Sequence, residues 1–355
     1  MGEQVHKAGC RVVVANTGAE FICGPDELIL DAALAAGVRL PHNCRGGACG
    51  TCKSEIIDGR VDHGWVMSFA ISDEEKAAGR CLICQSRPLT DRLVLRVNDA
   101  LLPQAACAPA PIETQAQVVA SQPVTPSIRR LVLALPPASG FRFAPGMHVE
   151  IATAGIARPR TYSIATAPDA QGAAPDGLLE FFVTRHDHGA ASTWLHAPER
   201  LGCDVPIKGP YGSFGLPVQA SGPMLCLAGG SGLSPILSIL RRSLADGADA
   251  PVRLVLSVRD RSEVFALETL HALARRHAGF SFTVALTREP PGPLPVRWRR
   301  GRIGSWLASE LSDLAGWRVL SAGSPAFVAA AVEAARGLGA APERIATDSF
   351  TATRG

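Results

Sequence analysis

The sequence predicts a multi-domain chain mixing α+β and α/β architecture: a small cysteine-rich α+β module, an antiparallel β-barrel, and a doubly wound parallel sheet. Three observations predict it. Seven of the ten cysteines fall within the first 84 of 355 residues. Over residues 117–218, β-branched runs alternate with Pro/Gly turns, as in small antiparallel barrels or sandwiches. After Gly222 strands alternate with helices, the rhythm of parallel βα units.

Bulk properties narrow the function classes. Hydrophobic residues make up 47% and charged residues 19%, enough for packed cores and against disorder. No stretch approaches about 18 consecutive apolar residues, so no membrane-spanning helix is expected. The start, MGEQVHKAGC, carries neither an apolar signal core nor a myristoylation pattern, and the cytoplasm is the expected compartment. A net charge of +3 is too weak to argue for nucleic acid. It is uneven, with −2 over residues 1–103 and +5 over the rest, so the rear half is expected to favour an acidic partner.

The elements follow in order. Residues 11–14 and 93–97 read as strands, and residues 26–36 as a helix with an acidic first turn, apolar Leu30, Ala33 and Leu34, and Gly37 as a stop. The stretch PQAACAPAPIETQA, residues 103–116, reads as a linker. Residues 224–228, 252–258 and 281–286 read as buried strands, with helices over 235–244 and 263–277 between them. Trp298, set among Arg297, Arg299 and Arg300, reads as a solvated loop. The expected domains are therefore 1–102, 117–218 and 219–355.

The sharpest motif is HNCRGGACGTCK, in which Cys44, Cys49 and Cys52 stand in C-x4-C-x2-C spacing, with Cys84 downstream in RCLICQSRP. This is plant-type [2Fe–2S] spacing. Wrapping three thiolates around a compact inorganic core requires close backbone approach and positive φ, which Gly46, Gly47 and Gly50 permit. A zinc ribbon built on Cys49, Cys52, Cys81 and Cys84 is the competing reading, but its 28-residue spacer is long and strands Cys44. A Rieske centre needs two histidine ligands in a spacing absent here. Cys81 is expected to pack as a small apolar residue.

The stretch CGPDELILDAALAAGVRLPHNCRGGACGTC resembles the plant-type ferredoxin module of bacterial oxygenase reductases. That resemblance implies a β-grasp fold, single-electron transfer, and Cys44, Cys49, Cys52 and Cys84 as iron ligands. Arg160-Thr161-Tyr162-Ser163 resembles the R-x-Y-S motif of the ferredoxin–NAD(P) reductase family. A flavin needs a cation for phosphate, a planar partner for its ring and a small hydrogen-bonding group near N5. The resemblance assigns these roles to Arg160, Tyr162 and Ser163, with Ser163 at the reacting atom. Gly189, Ala190, Ala191 and Ser192 match the family's G-x-x-S element, which implies backbone amides and a hydroxyl facing a pyrophosphate at a helix start. The order of modules resembles the FAD-containing branch, whereas the FMN branch carries its ferredoxin at the C-terminus.

MLCLAGGSGLSPILSIL reads strand, Gly-rich turn, helix, with Gly229, Gly230 and Gly232 allowing close approach to a pyrophosphate and Pro235 in the first helical turn. It is similar to the family's NAD(P) loop. A second family element, C-G-x-P, is matched by Gly323, Ser324 and Pro325, with Ala322 where the family has Cys. The tail IATDSFTATRG resembles endings in which an aromatic packs near the flavin, which implicates Phe350. Within SVRDRSE, Arg259 or Arg261 would suit a 2′-phosphate and Asp260 or Glu263 a free ribose, so the residues leave the donor open. The family mostly uses NADH.

The resemblance thus implies a ferredoxin–NAD(+) reductase type oxidoreductase using NADH, FAD and a [2Fe–2S] cluster. Its partner would be a Rieske ferredoxin or the terminal oxygenase of an aromatic-ring-hydroxylating dioxygenase. A di-iron monooxygenase, a sugar-deoxygenating enzyme, or a non-catalytic electron-carrier role are the alternatives.

Overall fold

The structure, a computed structural model, describes residues 9–351 except 103, 104, 106, 107, 157 and 216–221. Its contacts divide the chain into two compact units, Met1–Ala108 with Ser349–Gly355, and Pro109–Asp348.

The first unit is built on a five-stranded sheet in the order β2-β1-β7-β3-β5. Its strands are β1 (Cys10–Val14), β2 (Ala19–Cys23), β3 (Lys53–Asp58), β5 (Arg80–Leu82) and β7 (Arg92–Val97); β4 (Val61–Asp62) pairs separately with β6 (Arg87–Pro88). β1 is antiparallel to β2 but parallel to β7, and helix α1 (Ile29–Ala35) packs Ile29, Leu30, Ala32 and Ala33 into the shared core. A mixed sheet wrapped on α1, with a short second helix α2 (Asp73–Ala77) beside β5, is the β-grasp expected from the resemblance. The helix starts later than residue 26, because the Glu27 carboxylate accepts the Gly24 amide at 3.0 Å and closes a turn there.

The second unit begins with a six-stranded antiparallel sheet in the order β11-β10-β13-β8-β9-β12. These are β8 (Ile112–Pro123), β9 (Ile128–Ala134), β10 (His148–Ile151), β11 (Arg160–Ser163), β12 (Leu178–Thr184) and β13 (Asp204–Tyr211). β11 and β12, at opposite ends of that order, touch, so the sheet curls into a barrel. The predicted linker is too long at its end: residues 112–116 belong to β8 and pair with β13. Pro109 and Pro111 punctuate that stretch, but Ile112, Thr114, Ala116 and Val118 already alternate with exposed polar residues, the period of a strand.

A six-stranded sheet follows in the order β17-β16-β15-β14-β18-β19, from β14 (Met224–Gly229), β15 (Val252–Val258), β16 (Phe280–Leu286), β17 (Trp298–Arg300), β18 (Arg318–Gly323) and β19 (Ile345–Ser349). β14 through β18 run parallel. Helices α4 (Leu233–Ala245) and α5 (Leu267–Arg276) fill one face, and α6 (Ile303–Glu310) and α7 (Pro325–Gly337) the other. Burial on both faces explains why MLCLA reads as a continuous apolar run. Trp298 lies in edge strand β17, not in a loop; three residues between charges are too short to show a period. The chain order reverses between β14 and β18, which is where open α/β sheets bind ligands. Among the described residues no helix is long and apolar enough to cross a membrane.

Candidate functional site

The cysteine loop is held from several sides. Gly47 and Gly50 have φ of +70° and +74°, as the spacing required. Arg45 also takes a positive φ, 51°, a strained state for a residue with a side chain. Its guanidinium bonds Asp31 of α1 at 2.8 Å, and its carbonyl accepts from Gln85 Nε2 at 2.8 Å. These bonds compensate the strain, and no motif in the sequence announced them. Cys84 sits beside residues whose carbonyls receive the first amides of α1, Ile29 to Ser86 and Leu30 to Ile83, each at 3.0 Å.

The four thiols form two pairs, and among the described residues no group of three or more His, Cys, Asp or Glu side chains is gathered to hold a single metal ion. Cys52 Sγ lies 3.1 Å from Cys84 Sγ, and Cys44 hydrogen-bonds Cys49. The second bond pulls the Cys49 thiol down to about 6 and pushes Cys44 up; the Cys52 contact, then burial, pushes Cys84 up. Crowded thiols that must share protons are a donor set suited to a metal that takes thiolates. Two irons needing two protein thiolates each fit that pairing. Cys81 points into the core, its thiol pushed up to about 12 by burial. None of the nine described cysteines forms a disulfide.

In the second unit β11 pairs with β10, setting Tyr162 opposite Val149 and Ser163 opposite His148. Arg160 donates to the Arg158 carbonyl at 2.7 Å and pairs with no carboxylate among the described residues. Burial raises the Tyr162 phenol above its ordinary range. Ser163 Oγ donates to Oδ2 of buried Asp348 at 3.3 Å. Asp348 was not anticipated; the two are 185 residues apart. Phe350 is half-buried and lies in the tail that groups with the first unit.

Gly189 caps helix α3 (Ala190–His196). The Ser192 hydroxyl does not face outward as the resemblance implied. It is buried, accepts from the His186 amide at 3.1 Å and donates to the Gly189 carbonyl at 3.0 Å. A helix-forming loop this tight needs its own carbonyl and amide satisfied, so the serine closes it. The first-turn amides around Ala190 and Ala191 are those a helix leaves without an intrahelical carbonyl.

Both nicotinamide segments reach the switch point. Gly229 ends β14 and Gly230–Gly232 follow it, Gly323 ends β18 and Ser324 and Pro325 follow it, with Ser324 capping α7 through the Phe327 amide at 3.4 Å. The three glycines of the first turn differ in purpose. A Cβ on Gly229 would meet the Phe327 ring at 2.8 Å, and one on Gly232 the Ala322 carbonyl at 2.1 Å, while one on Gly230 would meet nothing within 4 Å. Gly232→Ala should therefore destabilise the fold by about 1–3 kcal/mol in urea unfolding. Gly230→Ala, which meets only its φ of +54°, should cost about 1 kcal/mol and act mainly on NADH affinity. Equal losses of stability in the two variants would contradict this division. Ala322 is buried in the core, so no thiol stands at this position.

The residues after β15 also sort themselves. Glu263 is buried and accepts from Thr125 Oγ1 at 2.9 Å and Ser127 Oγ at 2.6 Å, so it fastens the barrel and cannot reach a ribose. Arg261 is engaged by Glu289 at 2.5 Å. Asp260 accepts from Ser262 N at 2.9 Å, and Arg259 reaches Glu263 at 3.3 Å while staying exposed.

Three family matches divide the chain in the same order. A 2Fe-2S iron-sulfur cluster binding domain matches residues 12–89, an oxidoreductase FAD-binding domain residues 115–215, and an oxidoreductase NAD-binding domain residues 226–333. The reductase subunit of an aromatic O-demethylase from an Amycolatopsis species is 33% identical over 95% of this chain and 98% of its own. The ferredoxin–NAD(P)(+) reductase component of a Pseudomonas putida naphthalene 1,2-dioxygenase system is 32% identical over 91% of this chain and 93% of its own. The chain belongs to the reductase components of bacterial oxygenase systems. The crystal structure of an Amycolatopsis cytochrome P450 reductase matches this reductase with a TM-score of 0.77 and 32% identity, over 97% of this chain and 99% of that one. The reductase is an oxidoreductase built to use a [2Fe–2S] cluster, FAD and NADH, and the paired thiols, the carboxylate-free Arg160 and the switch-point glycines fit those groups.

Proposed function

We propose that this reductase takes electrons in pairs from NADH and delivers them singly to a Rieske ferredoxin or a Rieske-type terminal oxygenase, in the cytoplasm. The bound groups supply hydride acceptance (FAD) and one-electron transfer (the cluster), while the protein supplies positions. Arg160 would hold flavin phosphate, Tyr162 would offer its ring face, and Ser163, held by Asp348, would present its hydroxyl to the ring. Gly189, Ala190, Ala191 and Ser192 shape the pyrophosphate loop. Gly229, Gly230 and Gly232, with Gly323, Ser324 and Pro325, hold the nicotinamide nucleotide. Cys44, Cys49, Cys52 and Cys84 hold the cluster.

The observation that carries this reading is the bond from Thr184 Oγ1, at the end of barrel strand β12, to Ser231 Oγ in the Gly-rich turn, 2.7 Å long. It sets the Gly-rich turn beside the barrel, so that groups held by the two would lie together. A second acceptor class, a cytochrome P450, is favoured by the relatives whose partners are an O-demethylase and a P450.

Anaerobic visible spectra before and after NADH test the proposal. Flavin and iron–sulfur bands should bleach together, with at least about tenfold preference over NADPH in kcat/KM. Subsequent reduction of a Rieske ferredoxin, against reduction of a P450 haem, separates the two acceptors. Protein that stays colourless after iron, sulfide and FAD reconstitution would sink the electron-transfer reading and return the cysteines to zinc.

A further inference from the structure

We propose that the exposed aromatic pair Trp65 and Phe69 forms the face on which the electron acceptor docks, and that the acceptor meets it with a basic surface around an apolar centre. This rests on the reductase reading above. The segment carrying both rings backs directly onto the cysteine loop. The Met67 amide donates to the Gly47 carbonyl at 3.0 Å. A Cβ on Gly47 would stand 2.6 Å from the Trp65 carbonyl, and one on Gly50 3.3 Å from the Ala70 carbonyl. One layer of backbone therefore separates this segment's outer face from the loop that holds the thiols. Electron transfer weakens steeply with distance, so an acceptor gains most by seating where the protein layer is thinnest.

The same segment divides its apolar residues sharply. Ala70 and Ile71 are buried, and Val66 and Met67 pack on the core of the unit. Trp65 and Phe69 are 57% and 42% exposed. Single exposed apolar residues are ordinary, but two large aromatics on one short segment over a redox site have the composition of an interface anchor.

Charge specifies the partner. Asp62, Asp73, Glu74 and Glu75 flank the rings, against one cation in the same stretch, Lys76. Lys76 is taken by Asp73 at 2.8 Å and Glu75 by Lys53 at 2.7 Å, while Asp62 and Glu74 pair with no Lys or Arg among the described residues. The rim is negative, so it selects a basic partner. The basic rear half of the chain suggested an acidic one, but the electrons leave from the acidic unit.

The test uses the holoenzyme with NADH and two acceptors: cytochrome c, a basic haem protein, and ferricyanide, a small anion that needs no docking face. Trp65→Ala and Phe69→Ala should each lower kcat/KM for cytochrome c by about tenfold and leave ferricyanide reduction and the iron–sulfur absorbance unchanged. Trp65→Phe should restore most of the loss. Glu74→Lys should flatten the fall of the cytochrome c rate with rising salt. Unchanged cytochrome c reduction in both alanine variants would overturn the proposal. So would parallel loss of both activities with loss of the cluster band, because the segment would then only support the loop. If the unmodified holoenzyme reduces neither acceptor, the reductase reading itself fails.

Discussion

Cys84→Ser should yield a protein that still oxidises NADH with ferricyanide but has lost the iron–sulfur absorbance and nearly all reduction of cytochrome c. Removing an outer partner of a metal ligand costs about 10–100-fold in affinity, and removing the ligand itself should exceed that. The geometry isolates the effect. Cys84 is placed by neighbours that do not depend on its sulfur: the first amides of α1 bond Ile83 and Ser86, and Gln85 bridges to Arg45 at 2.8 Å. Serine leaves that scaffold intact and withdraws one thiolate from the pair formed with Cys52. Cys81→Ser is the matched control, since Cys81 is equally buried and only three residues away. It should keep the cluster band and lose only some stability. A band that survives Cys84→Ser and disappears in Cys81→Ser would move the fourth ligand to Cys81.

Local patterns carried the fold well. Cysteine spacing, the period of the barrel strands and the βα rhythm are all properties of a few neighbouring residues. What escaped the reading depends on residues far apart in the chain. Asp348 becomes a partner of Ser163 only once β19 is folded into the sheet. Glu263 looked like a ribose acceptor in SVRDRSE because nothing nearby shows that Thr125 and Ser127, more than 130 residues earlier, fill its carboxylate. Ser192 looked like a phosphate ligand for a different reason: its partners, the His186 amide and the Gly189 carbonyl, are close in the chain, but only the folded loop shows that it consumes the hydroxyl. Arg45 is the inverse case, a strained residue made tolerable by Asp31 and Gln85. The strand hidden in residues 112–116 was legible by alternation, and the prolines before it outweighed that signal.

Arg241→Met should loosen the join between the barrel and the parallel sheet, lowering stability by about 2 kcal/mol and slowing NADH–ferricyanide turnover without loss of bound FAD. Ser231, Ser234, Ser238 and Arg241 recur at helical spacing from the Gly-rich turn along α4, and every one bonds the barrel. Ser231 meets Thr184 at 2.7 Å, Ser234 accepts the Phe182 amide at 3.3 Å, and Ser238 donates to the Thr166 carbonyl at 2.6 Å. Arg241 reaches the Ala165 carbonyl at 2.9 Å and Glu180 at 2.7 Å, while Arg130 holds the other Glu180 oxygen at 2.5 Å. β12 is an edge strand, and these bonds satisfy outward groups that would otherwise face an apolar helix. The seam also sets the nicotinamide turn against the strand that follows Ser163, so loosening it should lower kcat more than it raises KM. Burial alone would raise the Glu180 carboxyl, but Arg241 and Arg130 outweigh it and hold it below the ordinary glutamate range. A carboxylate depressed in the folded state stabilises fully above its unfolded value, about 4.3, and loses that contribution as pH falls through the folded value. Glu180→Gln should therefore be less stable than the unmodified protein at neutral pH, with the gap closing as the medium is acidified. A gap independent of pH would mean that the seam is held by the serines, with the ion pair incidental to it.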